Sequence, residues 1–522
     1  MSIVNQIVTN ATMDYILHLV KERKQFRTGV VYSTEMNNYF YDTGTGKILR
    51  LSDVEYRLLK SIFHQDATEK TVLNAFQMEN NEDVEMFLRN TEELRLMQVP
   101  DLIEYKYDNH EEIFDKIDNE LTQIILEVTQ QCNFRCKYCI YNSSYAGNHD
   151  FSASEMSWET AKAAIDYLLS HSSRREKIYV TFYGGEPLLQ FDLIKECVNY
   201  SLMNSHGKKI HFNLTTNLSL MNREKAQYFA SVPNFNLTVS LDGPKEFDKY
   251  RVYADGHETF DDVISGLQNV CHEFNQAKKP LTISAVLAPP YSYEKLDAVN
   301  SFFENIPEIP KDTSIFISYP SPGIFHSAEY VSTIYNNPKY WMYGDFDPLG
   351  KWQLNQCIKY SLSWDRTNNL YFRSLVESMK KIKSRFGSEK PALQKNCIQA
   401  CCIPGVRKLY VLANGDLTIC ERIGSSPSIG NIQTGLNKKE IVKKYIDEYM
   451  EKSKSECANC WAFNLCSMCY AMCFDKDGVN MKEKHEECIV CRTYSYMQLI
   501  KFSEIMEKCP DAMKAIDKAT IV

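Results

Sequence analysis

The sequence predicts an α/β protein, in which a parallel sheet is flanked by a small N-terminal α/β module and a cysteine-rich C-terminal region. Three observations carry this. Six strand-like runs, at 121–129, 177–185, 209–217, 234–242, 281–288 and 313–319, alternate with helical patterns such as WETAKAAIDYLLSH and ETFDDVISGLQNVCHEF. Such alternation makes successive strands parallel. Glycines and small polar residues collect at the carboxyl ends of these runs, where sheets of this kind bind ligands. Twelve of the eighteen cysteines fall within residues 396–522.

Four parts follow along the chain. Residues 1–110 read as a module of short strands and helices: VVYST and NYFYDTGTGKILRL as strands, with a turn at Thr43-Gly44-Thr45-Gly46. Ser52-Asp53-Val54-Glu55 is a capping-box pattern, and Leu58, Leu59, Ile62 and Phe63 share one face of the helix it opens. ATEKTVLNAF and NEDVEMFLRNTEEL read as two further helices, so the layout is winged-helix-like. A DNA-reading role is disfavoured, because residues 79–94 are acid-rich and no basic recognition helix is present. Residues 118–323 carry the strand–helix repeat. Residues 324–395, rich in Tyr and Lys, form a bridge or insertion, and residues 396–522 form the cysteine-rich region.

Composition narrows the function classes. A net charge of −8 argues against a general nucleic-acid or membrane-surface binder. No run approaches the roughly 20 apolar residues of a membrane helix. MSIVNQIVTNATMDY has no basic n-region, so a cytoplasmic location is expected. Eighteen cysteines in such a chain are not a disulfide framework, and most are expected to bind metal.

The most informative motif is QCNFRCKYCIY, which places Cys132, Cys136 and Cys139 as C-x3-C-x2-C after the first strand of the repeat. Three thiolates can hold three irons of a [4Fe–4S] cube and leave the fourth open, whereas clusters that only carry electrons normally have four cysteine ligands. The competing readings are a structural zinc site or buried core cysteines. Downstream, IYVTFYGGEPLLQ ends in Gly184, Gly185 and Glu186, IHFNLTTN in Thr216 and Asn217, and FNLTVSLDGP carries Ser240 and Asp242, with Arg251 shortly after. Singly, each is ordinary turn chemistry. In this order behind the three cysteines, and with Tyr138 beside the last of them, they resemble the radical S-adenosylmethionine (SAM) enzymes.

The resemblance implies a partial (β/α)6 barrel with SAM chelated to the open iron. One electron from the cluster then splits SAM into methionine and a hydrogen-abstracting 5′-deoxyadenosyl radical. It casts Cys132, Cys136 and Cys139 as cluster ligands, the GGEP element as the binder of the methionine amine, and Tyr138, Thr216, Asn217, Ser240, Asp242 and Arg251 as further SAM contacts.

The C-terminal cysteines resemble the SPASM extension of the same family. Cys402, Gly415 and Cys420 fit its first half, and Cys457, Cys460 and Cys466 the next three positions. The sixth position departs: strict spacing lands on Tyr470, with cysteines at 469 and 473, and the seventh is Cys488 or Cys491. The resemblance implies two auxiliary [4Fe–4S] clusters. One would rest on Cys402, Cys420 and Cys469 or Cys473, with Cys397 or Cys401 as a further ligand or an iron left open. The other would rest on Cys457, Cys460, Cys466 and Cys488 or Cys491. Two zinc sites are the alternative, since C-x2-C pairs serve both chemistries. Cys197, Cys271, Cys357 and Cys509 read as ordinary buried cysteines. Glu421 stands where some SPASM enzymes carry a catalytic base; otherwise it is a surface residue or a salt-bridge partner.

The N-terminal layout resembles the elements by which enzymes of ribosomally made peptides bind a leader, added as a strand to a sheet edge. The CIPGVR run from Cys402 to Arg407 and the CWAFNLCSMCY pattern from Cys460 to Tyr470 most resemble the maturases of cysteine-rich peptides, of the sactipeptide or ranthipeptide kind. That implies thioether crosslinking in a precursor peptide, with an electron donor such as flavodoxin or ferredoxin. Rival expectations are anaerobic sulfatase maturation to formylglycine, carbon–carbon crosslinking or epimerisation of a peptide, and a non-catalytic scaffold.

Overall fold

The computed structural model describes residues 10–99, 104–105, 110–141, 151–289, 292–310, 312–320, 352, 354–356, 359, 379–384, 395–396, 402–421 and 425–518. Most of the 324–395 bridge, together with Cys357, Cys397 and Cys401, lies outside the described residues.

The N-terminal module begins with helix α1 (Ala11–Lys21), capped by Asn10, whose side chain accepts from the backbone N–H of Thr12 and Met13. A three-stranded antiparallel sheet follows, in the order β1 (Gly29–Ser33), β2 (Asn38–Asp42), β3 (Ile48–Leu51). The expected Thr43–Gly46 turn joins β2 to β3. Helices α2 (Asp53–Ile62), α3 (Glu69–Gln77) and α4 (Asn81–Glu93) complete the module, and both halves of the Ser52–Glu55 capping box form. One sheet face supplies Phe40 to a core with Leu58, Leu59, Ile62, Val72 and Phe76. The other presents Tyr32, Tyr39 and Tyr41 to the C-terminal region.

Helix α5 (His110–Asn119) leads into the central sheet. Its strands are β4 (Gln123–Thr129), β5 (Lys177–Gly184), β6 (Lys209–Thr216), β7 (Phe235–Ser240), β8 (Leu281–Val286) and β9 (Ser314–Ser318). They lie side by side in chain order, all parallel, within two residues of the runs expected from sequence. The connecting helices α6 (Trp158–Ser170), α7 (Phe191–Met203), α8 (Arg223–Ser231), α9 (Phe260–Ala277) and α10 (Tyr293–Glu304) each bury an apolar stripe, as with Val263, Leu267, Val270 and Phe274 of α9. Strands β6, β7 and β8 alternate buried and half-buried positions. The half-buried set is polar and hydrogen-bonded across strands. Gln123 and Asn213 both donate to Thr181 Oγ1 (2.7 and 3.0 Å), and Asn236 donates to Asn213 Oδ1 (3.0 Å). A closed eight-stranded barrel fills its interior with apolar layers, whereas this inner face keeps hydrogen-bonding groups.

The free edge of β4 is covered by β10 (Leu409–Val411), which pairs parallel to it, and β11 (Leu417–Thr418) pairs antiparallel to β10. The cysteine-rich region therefore contributes strands to the central sheet and protects its edge. Beyond it come α11 (Tyr449–Ala458), a cysteine-bearing loop, and the 28-residue helix α12 (Met481–Lys508), capped by Asn480. The N-terminal sheet docks here. Glu507 Oε1 accepts from Thr34, Asn37 and Tyr39 (2.9, 2.7 and 2.7 Å). Thr43 donates to the Trp461 carbonyl (2.8 Å), and Asn464 donates to that of Thr43 (3.0 Å). No described helix is long and apolar enough to cross a membrane.

Candidate functional site

The loop leaving β4 carries Cys132, Cys136 and Cys139, all partly exposed. It is held from two sides. On one side it zips against residues 250–254: Arg135 N donates to Val252 O (2.7 Å), Lys137 N to Tyr250 O (3.0 Å) and Ala254 N to Asn133 O (3.0 Å). This ladder carries Arg251 to the cysteines. On the other side sits the Gly184–Gly185–Glu186 turn. Gly185 N donates to Thr129 O and Glu186 N to Gln131 O, both at 2.8 Å. A Cβ on Gly184, whose φ is +132°, would lie 2.1 Å from Thr129 O, and one on Gly185 2.0 Å from Gln131 O. The close approach these glycines permit is thus to the cysteine loop's own backbone.

Glu186 is buried and its carboxylate is fully engaged within the protein. It accepts from Leu188 N (3.0 Å), Thr216 Oγ1 (2.7 Å) and Asn217 N (2.7 Å). Burial pushes its pKa up, and these hydrogen bonds oppose the shift. Glu186 therefore fixes Thr216 and Asn217 at the end of β6. The Asn217 amide donates to Asn133 Oδ1 (2.9 Å) and faces Cys132 Sγ at 3.9 Å.

A second network lies behind the loop. The Tyr138 hydroxyl donates to Asp242 Oδ2 and receives from Arg251 Nη1 (3.1 Å). Asp242 also accepts from Val286 N (2.9 Å), and its own N–H donates to Asp248 Oδ1 (3.1 Å), which lies 3.9 Å from Arg251 Nε. Asp248 and Arg251 are nearly inaccessible, and Asp248 Oδ2 and Arg251 Nε are buried with no hydrogen-bond partner. Ser240 ends β7, half-buried. Burial and then the Glu186 charge push the Cys132 thiol up to about 12. Burial takes Cys136 to about 11, with Arg251 opposing. Thiols this reluctant to ionise would become ligands by losing protons to a metal; buried Arg251 opposes the upward shift at Cys136 and Cys139, and Arg135 does so at Cys139. The donor set, three thiols on one anchored loop, fits an iron–sulfur cube. Of the residues expected from sequence to contact SAM, Tyr138, Gly184, Gly185, Glu186, Thr216, Asn217, Asp242 and Arg251 take part in anchoring this loop or in its two networks, and Ser240 lies two residues before Asp242. Sequence reasoning missed Asp248 and Asn133. It also missed buried Glu127, which accepts from Tyr410 (2.9 Å), itself 3.3 Å from the Tyr141 hydroxyl. An acid inside the apolar run IILEVT was the available signal.

In the C-terminal region, Cys457, Cys460, Cys466, Cys488 and Cys491 line one cavity with Lys484 and Arg492. Cys402 Sγ accepts from Arg407 (3.5 Å), and the Tyr470 hydroxyl donates to the Cys402 carbonyl (2.5 Å), bringing the 469–473 segment beside it. Cys469 is exposed, and Cys473 is fully buried with its Sγ 3.7 Å from Met468 Sδ. Cys420 is buried. Among the described residues, no three His, Cys, Asp or Glu side chains converge on a single-ion site. Glu421 has both carboxylate oxygens on Lys408 Nζ (2.9 and 2.8 Å), a salt bridge between opposite ends of the β10–β11 hairpin. Cys197 and Cys271 are core residues, and Cys509 packs in the cluster against the N-terminal sheet.

Comparison with known proteins agrees with this geometry. Residues 126–302 match the model of the Radical SAM superfamily. An uncharacterized protein of Methanocaldococcus jannaschii is 35% identical over 147 residues, 28% of this chain and 48% of its own. The cysteine-type anaerobic sulfatase-maturating enzyme of Clostridium novyi is 26% identical over 151 residues, 28% of this chain and 40% of its own. The chain thus spans less than half the length of these curated relatives. The solved structure of anSMEcpe with bound AdoMet superimposes with a TM-score of 0.54 at 20% identity, covering 77% of this chain and 96% of that one. The same enzyme with AdoMet and the Kp18Cys peptide gives a TM-score of 0.51 at 19% identity, covering 76% and 99%. The match to the Radical SAM superfamily covers about a third of the chain, residues 126–302, and includes the cysteine loop, the GGEP turn and both networks around them.

Proposed function

We propose that this chain is a radical SAM peptide maturase that installs thioether crosslinks, from a cysteine sulfur to carbon, in a ribosomally made cysteine-rich precursor. The observation that carries the reading is the five-cysteine cavity, held in the same chain as the segment that matches the Radical SAM superfamily, with the N-terminal module hydrogen-bonded to Trp461 and Asn464 of the neighbouring loop. Cys132, Cys136 and Cys139 would hold the first [4Fe–4S] cluster. Gly184, Gly185, Glu186, Thr216, Asn217, Tyr138, Ser240, Asp242 and Arg251 would shape the SAM site around it. SAM, with one electron delivered by a flavodoxin- or ferredoxin-type donor, supplies hydrogen-abstracting chemistry there. The chain's own residues do the positioning. Glu186 orients Thr216 and Asn217, Arg251 offsets thiolate charge, and the 250–254 ladder fixes the loop. Cys457, Cys460 and Cys466 with Cys488 or Cys491 would hold one auxiliary cluster, and Cys402, Cys420 and Cys469 or Cys473 the other, as a SPASM region. Glu421, tied to Lys408, is a poor candidate for a free base.

The N-terminal module would read the leader. Strand β3 is an outer strand of its sheet, the geometry by which an extended peptide adds as a further strand. A second reading, formylglycine formation, is favoured by the similarity to the Clostridium novyi sulfatase-maturating enzyme and by the anSMEcpe fold. Carbon–carbon crosslinking or epimerisation would use the same machinery. The test is anaerobic turnover with SAM, a reductant and two peptides, one a cysteine-rich precursor with its leader and one a sulfatase-type sequence. Loss of two hydrogens per crosslink with loss of a titratable thiol supports thioether formation. Conversion of a cysteine to an aldehyde in the sulfatase peptide alone supports the second reading instead.

A further inference from the structure

Lys484, in the first turn of α12, is 0% exposed. A buried ammonium is costly unless paired and hydrogen-bonded. Here Nζ lies 3.1 Å from Glu456 Oε2 and 3.5 Å from Cys488 Sγ. Cys488 is one helical turn along, on the same face of α12, and Glu456 immediately precedes Cys457 in α11. Both charged groups therefore sit on the elements that bring the cysteines together, and Lys484 lines their cavity. A lysine serving only to pair Glu456 has no need to point at a thiol inside that cavity.

We propose that Lys484 sets the reduction potential of the iron–sulfur site held by this cavity, with Glu456 as its opposing partner. The inference rests on the reading above that these cysteines hold a cluster. Four thiolates around a [4Fe–4S] core leave a net negative charge, and one-electron reduction deepens it. An N–H donor to a ligating sulfur and a fixed positive charge both favour the reduced state. The step is reduction by one electron from a flavodoxin- or ferredoxin-type donor, or dithionite in vitro. The cluster is reduced and the donor oxidised; no covalent bond forms or breaks and no proton moves. Glu456, whose Oε2 is 3.7 Å from the same sulfur, opposes reduction.

The experiment uses the full chain, reconstituted anaerobically, with Cys132, Cys136 and Cys139 changed to Ala so that the first cluster is silent. Iron and sulfide are counted, and the reduced fraction is followed by EPR during titration with dithionite. At fixed potential, Lys484→Gln lowers the ratio of reduced to oxidised cluster about tenfold, equal to 59 mV for one electron. Lys484→Arg restores it, and Glu456→Gln raises it. Opposite shifts from the two neutral variants are not expected of a merely structural pair. Unchanged ratios, or shifts of the same sign, with full iron content overturn the role of Lys484. If Lys484→Gln fails to hold iron, Glu456→Gln decides: a raised ratio supports the proposal, and an unchanged or lowered one overturns it. A parent protein without C-terminal iron overturns the underlying cluster reading instead.

Discussion

Replacing Gly185 with Ala tests whether the GGEP turn is chiefly a clamp on the cysteine loop. The added Cβ would stand 2.0 Å from Gln131 O, 2.4 Å from its carbonyl carbon and 3.0 Å from Cys132 N. All three are backbone atoms that cannot swing aside. Real Cβ contacts essentially never fall under 3.0 Å, so the gap must open by about 1 Å. That movement breaks the Glu186 N to Gln131 O bond and weakens Gly185 N to Thr129 O, both 2.8 Å. Two bonds at about 1 kcal/mol each, plus one orphaned buried group, amount to about 2–4 kcal/mol. Cys132 moves with Gln131, and a misplacement of about 1 Å in a reacting site costs roughly 100-fold in rate. The assay is iron content and SAM cleavage of the reconstituted protein, with apoprotein stability measured alongside. Gly207→Ala is the control. Its φ of +83° makes Ala unfavourable, yet nothing lies within 4 Å of the added Cβ. It therefore loses about 1 kcal/mol of stability and keeps its iron. A Gly185→Ala protein with wild-type iron and SAM cleavage would refute the reasoning.

Three further outcomes follow from the same geometry. Glu186→Gln turns one carboxylate oxygen into a donor that faces another donor, so the apoprotein loses about 1–3 kcal/mol in chemical denaturation and takes up less iron. An unchanged denaturation midpoint contradicts the three-acceptor role. Burial raises Asp248 to about 7, with Arg251 opposing, above an unfolded value of about 3.9. The folded state therefore binds the extra proton between those values, and apoprotein stability falls as pH rises from about 4 to 7. Asp248→Asn flattens that slope in urea titrations, and an equal slope in both proteins rules the assignment out. Glu507→Ala removes the acceptor shared by Thr34, Asn37 and Tyr39. Docking of the N-terminal sheet weakens by about 2 kcal/mol, read as faster amide exchange in residues 29–51, whereas unaltered exchange there shows that the latch carries no energy.

Much of the fold was legible because its signals are local. The six barrel strands are apolar runs ended by glycine or small polar residues, and each lies within two residues of its expected place. The Ser52–Glu55 box and the helix it opens were readable from four residues. Helix α1 went unread although Asn10 with Met13, Ile16 and Leu19 follows an N-capped amphipathic pattern. What sequence reasoning could not reach is long-range pairing. Nothing in LYV announces that it will bond to Ile124–Leu126 and complete the sheet. That pairing is what places Tyr410 on Glu127, and the hairpin it begins sets Glu421 opposite Lys408. The glycines of GGEP were legible as a place of close approach. Their partner, the backbone at Thr129 and Gln131, depends on the register between β4 and β5. Lys484 had a readable signal, since it precedes Cys488 by four residues, but its burial comes from long-range packing, with the Tyr470–Cys473 segment against α12 and Glu456 at its ammonium.

The most direct test of the whole account is iron and sulfide per chain after anaerobic reconstitution, with SAM cleavage measured on the same sample. The account predicts about twelve irons, for three [4Fe–4S] clusters. Changing Cys132, Cys136 and Cys139 to Ala then removes about four irons and all SAM cleavage, leaving the C-terminal iron in place. SAM cleavage that survives the triple substitution would contradict the assignment of the site. A wild-type protein with only about four irons would contradict the C-terminal clusters and the thioether mechanism built on them.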